Sequence, residues 1–304
     1  MLADSGIRQR RLRLPGVRRL TRGAALGAGV GREVLRHYPH LAERLSGIAR
    51  AAAVPLEAVM ELLVEATYAG SGGSGALAAP SVCVGVGEAG EGPLLVRTFA
   101  PALPWVLRTS RPEVGFASVE LTLPWFPSAV AGVNEQGLAA FAVPTAAPAP
   151  AGARIDTGLG AAPAWLLVQE CLQRFDSLGT AAEWCANRPA AGALAVVLQE
   201  AGGALARVEF QARERRLSPS DEGFDVAGEP PEACERVRKQ LEAGGWDATG
   251  RAAEDVLPGS RVVLAPAEAT LRLVDPPARA SAGLQPPEAG AGGATERVAL
   301  CARG

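Results

Sequence analysis

Metal and nucleophilic chemistry in a protein usually rests on histidine and cysteine, and this chain has few of either. It carries two histidines, His37 and His40, and five cysteines, Cys83, Cys171, Cys185, Cys234 and Cys301. The histidines lie three apart around Pro39 with no third donor close by, so they read as polar residues at a helix start rather than metal ligands. A Ser-His-Asp triad would have to recruit one of the two, which disfavours that class as well. No CxxC pair exists. An odd, scattered set of cysteines points to reduced, mostly buried thiols in a cytoplasmic protein, and no metal or other cofactor is expected.

The stretch with the clearest local organisation is Ser81 to Ala100, SVCVGVGEAGEGPLLVRTFA. Val82, Val84 and Val86 alternate with small residues, GEAGEG makes a turn, and Leu94 to Phe99 returns as a second strand. Ser81 and Cys83 stand two apart, so on a strand their side chains share one face. Ahead of this hairpin, residues 70–80 are almost wholly Gly, Ser and Ala, the composition of a loop.

The other elements follow in order. Arg11 to Leu14 suits a short edge strand, and the Gly-rich turns after it lead into a helix ending near His37. Leu41, Leu45, Ile48 and Ala49 keep helical spacing, Pro55 restarts the chain, and Val59, Leu62 and Leu63 continue an apolar face. Strands are expected over 116–123, 129–133 and 138–143, the last two joined by Asn134-Glu135-Gln136-Gly137 with Gly where positive φ is wanted. After a Pro/Ala loop at 144–152 come helices over 163–175 and 178–187, the second capped by Asp176 or Ser177. Strands over 194–199 and 204–210, a helix over 232–243 and strands near 261–264, 270–274 and 297–301 complete the chain. Strands flanked by helix pairs suggest two sheets in a sandwich covered by helices.

Bulk properties agree with a soluble globular protein. The chain has 304 residues, 48% hydrophobic and 20% charged, with a formal net charge of -2. That is long enough for a substantial core and gives no sign of a nucleic-acid partner. The basic N-terminus lacks a following apolar run of signal-peptide length. The longest uncharged stretch, 66–87, is too rich in Gly and Ser to span a membrane.

The hairpin resembles the start of the mature catalytic chain in N-terminal-nucleophile amide hydrolases of the acid ceramidase, choloylglycine hydrolase and acyl-coenzyme A:6-aminopenicillanic-acid acyltransferase group. There a Cys opens the strand and an Arg-Asn-x-Asp motif closes its partner. Aligned without a gap, Ser81 takes the Cys place and Arg97 the Arg place, while Thr98 replaces Asn and Ala100 replaces Asp. Tyr38-Pro39, Gly47-Ile48-Ala49 and the string GVNEQGL, with Asn134 and Gly137, are similar to further family motifs. Past Ser218 the resemblance thins: Ser218-Pro219-Ser220-Asp221 stands where the family has Thr-Asn.

The resemblance implies an α+β fold, a four-layer αββα sandwich of two mainly antiparallel sheets. It also implies a pro-peptide-like helical segment over 1–80 packed on a core over 81–304, together one compact domain. It further implies that cleavage before Ser81 makes that residue nucleophile and base in one, with Arg97 orienting it and Asn134 donating to the oxyanion. A freed α-amine with pKa of roughly 8 can act as general base without histidine. Cys83 is the rival nucleophile if cleavage follows Val82; otherwise it is a core thiol. Two functions stay open, with a small-molecule acyl or amide ligand in either case. One is hydrolysis or acyl transfer on a linear amide. The other is an unprocessed pseudoenzyme that binds such a ligand or a protein partner. An unrelated αβ binding domain is a third reading, and a homo-oligomer is compatible with all three.

Overall fold

The computed structural model describes residues 24–68, 77, 81–87, 92–99, 103–145, 161–212, 214–220, 223–228, 230–243, 260–274 and 295–299. Three helices come first: α1 Ala24–His37, α2 Pro39–Ala52 and α3 Leu56–Tyr68. Pro39 opens α2 at its first turn, where a missing N–H costs nothing. Leu41, Leu45 and Ala49 form its buried stripe, and Ala53 ends it in the left-handed conformation at φ 56°.

Strands β1 Val82–Val86, β2 Leu94–Thr98, β3 Val106–Ser110, β4 Ser118–Thr122, β5 Ala131–Asn134, β6 Ala139–Pro144 and the two-residue β7 Ala162–Pro163 follow. The helix expected over 163–175 is divided: a 3-10 turn at Ala164–Leu166 precedes α4 Leu167–Arg174. Pro163 instead pairs with the start of the next long strand. Helix α5 Leu178–Asn187 leads to β8 Ala190–Gln199, β9 Leu205–Ala212, β10 Glu214–Pro219 and β11 Phe224–Gly228. Helix α6 Pro231–Glu242 and strands β12 Arg261–Ala265, β13 Thr270–Val274 and β14 Thr295–Ala299 complete the order.

The strands form two antiparallel sheets. One runs β11-β1-β2-β12-β13-β14, and the other follows β10-β9-β8-β6-β5-β4-β3 with β7 alongside β8. The sheets face each other, α4 and α5 cover the outer face of the second, and α6 lies against β11 of the first. That is the expected αββα layering. Alternation on β1 and β2 divides the core in two. Val82, Val84, Val86, Leu94 and Val96 pack outward with Val237 of α6, whereas Cys83 and Leu95 join the inner core. No helix among the described residues is long and apolar enough to cross a membrane.

Besides the two-residue β7, three strands were not expected. β3 and β10 are the two edges of the second sheet, and edge strands carry little of the alternating apolar signal that marks a half-buried strand. β10 is exposed at Glu214, Arg215, Arg216 and Leu217 and ends at Pro219. β11 breaks the pattern with Asp225, which is buried. The edge strand expected at Arg11 to Leu14 lies outside the described residues.

Helix α2 is joined to the second sheet through a buried polar network centred on Glu120. Its carboxylate accepts from Arg108 Nε at 2.6 Å, Ser118 Oγ at 2.6 Å and Gln169 Nε2 at 2.7 Å. Gln169 Oε1 in turn accepts from Arg108 and from Arg44 of α2, both at 2.8 Å. Arg44 also reaches Pro127 O at 2.7 Å. Burial alone would raise the Glu120 carboxyl, but Arg108, Arg44 and the hydrogen bonds from Ser118 and Gln169 outweigh it and hold it below its usual value. Stabilisation from such a group is full above the unfolded-state pKa and is lost as pH falls through the folded one. Glu120→Gln is therefore expected to cost about 3 kcal/mol at neutral pH, because it leaves the half-buried Arg108 and Arg44 without their counter-charge. It should also flatten the loss of stability on acidification. Urea unfolding across pH tests both, and unchanged stability at neutral pH would contradict the assignment.

Candidate functional site

The register of β1 against β2 places Cys83 directly opposite Arg97. Directly opposed residues on an antiparallel pair point to the same face, and Ser81, two before Cys83, shares it. That face is the inner one: a Cβ added at Gly85 would meet Leu205 of β9, across the sandwich. Ser81, Cys83 and Arg97 are thus brought together between the sheets, all buried.

Arg97 Nη2 donates to Ser81 Oγ at 3.4 Å. Its Nε and Nη1 are buried and have no hydrogen-bond partner among the described residues. Burial is the dominant influence and pushes the guanidinium down to about 10, with Cys83 acting in the opposite sense. Arg97 is still a cation at neutral pH, and no carboxylate among the described residues pairs with it. Burial also pushes the Cys83 thiol well up, reinforced by Asp225 and opposed by Arg97. Cys83 is a neutral thiol here, not a thiolate.

Thr98 binds backbone and does not reach the Ser81–Cys83–Arg97 group. Val82 N donates to its Oγ1 at 2.9 Å, continuing the β1–β2 connection one residue past the Cys83–Arg97 pair. Ala100 lies outside the described residues. On the other side, Gly228 of β11 pairs with Val82 and has φ +129°, and a Cβ there would come within 2.0 Å of Ser81 O. Only glycine lets β11 pass this close to Ser81.

Asn134 is not brought to the group. Gly132, two residues before it, faces Leu172 of α4, so Asn134 points to the helical layer and away from β1. Its Nδ2 donates to Leu172 O at 3.0 Å and Phe175 O at 2.8 Å. Its Oδ1 accepts from Gln136 N at 3.0 Å and Leu138 N at 2.9 Å. The side chain both closes the turn, with Gly137 at φ +80°, and caps the carbonyls at the end of α4.

Beyond β11 lies a cavity of about 270 Å³ lined by Thr145, Arg207, Glu209, Ala227, Gly228 and Arg238 among others. Arg207 of β9 crosses between the sheets to Asp225 Oδ1 of β11 at 2.7 Å and meets Glu209 at 3.0 Å. Burial raises the Asp225 carboxyl and Arg207 opposes the rise. Sequence reasoning passed over Thr145, Arg207 and Asp225. A charge set among apolar residues in LARVEF and FDVA was the available signal. His37 meets Glu33 at 3.5 Å, and His40 meets the buried Glu170 at 2.5 Å. Among the described residues no cluster of His, Cys, Asp and Glu could hold a metal ion.

No protein-family model and no curated protein matches the chain. Solved structures with similarity include penicillin V acylase from Agrobacterium tumefaciens, at 16% identity over 64% of this chain and 82% of that one, with a TM-score of 0.45. A mutant of conjugated bile acid hydrolase from Clostridium perfringens is similar at 7% identity over 64% and 88%, with a TM-score of 0.47. A Caenorhabditis elegans N-acylethanolamine-hydrolyzing acid amidase ortholog is similar at 12% identity over 61% and 93%, also with a TM-score of 0.47.

A buried cation whose folded pKa is pushed below its ordinary value costs the fold stability at neutral pH, and the cost is relieved only as pH rises past the folded value. The difference corresponds to about 3 kcal/mol. Arg97→Met is accordingly expected to leave stability at neutral pH unchanged or raise it by up to about 3 kcal/mol. The stability that the parent chain gains as pH rises past about 10 should disappear in the variant. Urea denaturation of the two proteins decides it, and a clear loss of stability in the variant would show that Arg97 is a structural tie.

Proposed function

We propose that the chain is a divergent N-terminal-nucleophile amidohydrolase or acyltransferase of the acyl-coenzyme A:6-aminopenicillanic-acid acyltransferase-like group, acting on an amide C–N bond with Ser81 as nucleophile. The observation that supports this reading is the uncompensated Arg97 guanidinium directed at Ser81 Oγ in the inner core. A buried cation with one long hydrogen bond costs the fold stability, and a site that uses the charge is a reason to retain it.

In this reading the peptide bond before Ser81 is cleaved and its α-amino group is freed. The amine, with pKa of roughly 8, takes the Ser81 hydroxyl proton as Oγ attacks the substrate carbonyl. The C–N bond breaks, the amine leaves with the proton, and the acyl group stays on Ser81 until water or a second amine accepts it. Arg97 holds Oγ and keeps positive charge beside the reacting carbonyl. Cys83, a neutral thiol, fills the core beneath the pair.

A second reading is an uncleaved pseudoenzyme that binds an acyl or amide ligand. It is favoured by Asn134, whose side-chain amide is engaged by Leu172 and Phe175 and supplies no oxyanion donor. Intact mass and N-terminal sequencing of the purified chain separate the two. Self-cleavage before Ser81 is expected, together with an acyl-enzyme adduct on Ser81 after exposure to an electrophilic amide analogue. Ser81→Ala should abolish both, and Arg97→Met should slow adduct formation on the order of a hundredfold. A chain uncut at residues 80–83 and free of adduct would rule out the enzymatic reading. Ligand-dependent thermal stabilisation would then support the second.

A further inference from the structure

We infer that Cys171 and Cys185 are a redox-responsive pair that closes to a disulfide joining α4 to α5. The two sulfurs lie 3.3 Å apart, both side chains fully buried. A disulfide needs the sulfurs to approach to about 2.05 Å, so closure asks for a movement of little more than 1 Å. Each cysteine sits on a regular helix, Cys171 in α4 and Cys185 in the last turns of α5. The two helices cover one face of the second sheet and are linked by residues 175–177.

The other described thiols are differently placed. Cys83 is between the sheets and Cys234 is on α6, beyond the first sheet. Neither shares a layer with the α4–α5 pair. Among the described residues Cys171 therefore has one thiol beside it, that of Cys185, as its partner for disulfide formation. Hydrogen peroxide serves as the oxidant. One thiolate attacks a peroxide oxygen and becomes a sulfenic acid as hydroxide leaves. The neighbouring thiol then attacks that sulfur, forms the S–S bond and expels water. Two thiols and one peroxide give one disulfide and two waters. The sulfurs lose two electrons in total and the peroxide gains them. Burial of both sulfurs makes the step slow, because peroxide reaches them only when the helical layer opens locally. The pair is thus an oxidative staple and not a rapid sensor.

The staple joins positions 14 apart in the chain, and the loop it closes stabilises mainly by restricting the unfolded chain. A rise in Tm of roughly 5 °C is expected, reversed by dithiothreitol.

The full chain is incubated with hydrogen peroxide under native conditions, alkylated in denaturant and digested with trypsin without reduction. Cleavage after Arg174 separates the two cysteines. The expected result is a loss of about 2 Da in intact mass, two hydrogens for one disulfide, and a reducible link between peptides 155–174 and 175–207. Cys171→Ser and Cys185→Ala should each abolish the link. Should either variant fold poorly, the peptide map of the parent chain decides alone. Recovery of both cysteines alkylated, sulfinic acid at either position, or a link from either to Cys83, Cys234 or Cys301 would overturn the assignment.

Discussion

The pairing of β1 with β2 sets everything at the candidate site, because it decides which side chains enter the space between the sheets. With Cys83 opposite Arg97, the odd positions of β1 turn inward with Arg97 and the valines turn outward onto α6. A slip of one residue would send Arg97 into the valine cluster and a valine into the inner core, reversing every face at once. The register is held from several directions. β11 pairs along the whole of β1, β12 pairs with β2, and Thr98 Oγ1 catches Val82 N where the ladder stops. Ser81 is positioned by this arrangement while standing just outside the strand itself.

The second sheet answers a different demand. Its outer face carries Ser118, Glu120 and Asn134, polar residues that would be costly under a helix unless satisfied. The helical layer satisfies them. Gln169 from α4 reaches Glu120, Arg44 from α2 reaches Gln169 and Pro127, and the end of α4 offers its carbonyls to Asn134. Glu170 on the same helix receives His40 and Arg174. Helices that would otherwise rest on apolar contact alone are keyed in place by directed hydrogen bonds. Helix α2 is tied in through His40 and Arg44, so the network links distant parts of the sequence.

Much of this was readable in the sequence. The alternating valines of β1, the periodic leucines of α2 and the NEQG turn each carry a local signal whose cause is local: a period of two, a period of 3.6, a positive φ. α5 and the β8–β9 hairpin were legible for the same reason. The grouping of the candidate site was legible only where it coincides with such an element, as at Ser81, Cys83 and Arg97. Asn134 shows the limit. Its motif fixes the turn, but the destination of its side chain depends on which face of β5 meets α4, a question settled by partners far along the chain. β3, β10 and β11 escaped because edge strands and strands with a buried ion pair lack the apolar alternation that marks the others. Arg207 and Asp225 meet across the sandwich, and nothing near either one in sequence announces the other.

This fold treats a buried charge in two ways, and the contrast sets the candidate site apart. Glu120 is fully buried, yet each of its oxygens is bonded, to Arg108 on one side and to Ser118 and Gln169 on the other. Arg97 is as deeply buried and, among the described residues, has one long bond, to Ser81. The same sequence therefore completes a buried network in one layer and leaves another open a sheet away. Packing does not require the difference, since an apolar side chain of similar length would fill the Arg97 position without the desolvation cost. A cation kept unsatisfied beside a hydroxyl, where β11 has given up its side chain at Gly228 to pass, is what a site for a polar reacting group needs and what a structural core does not.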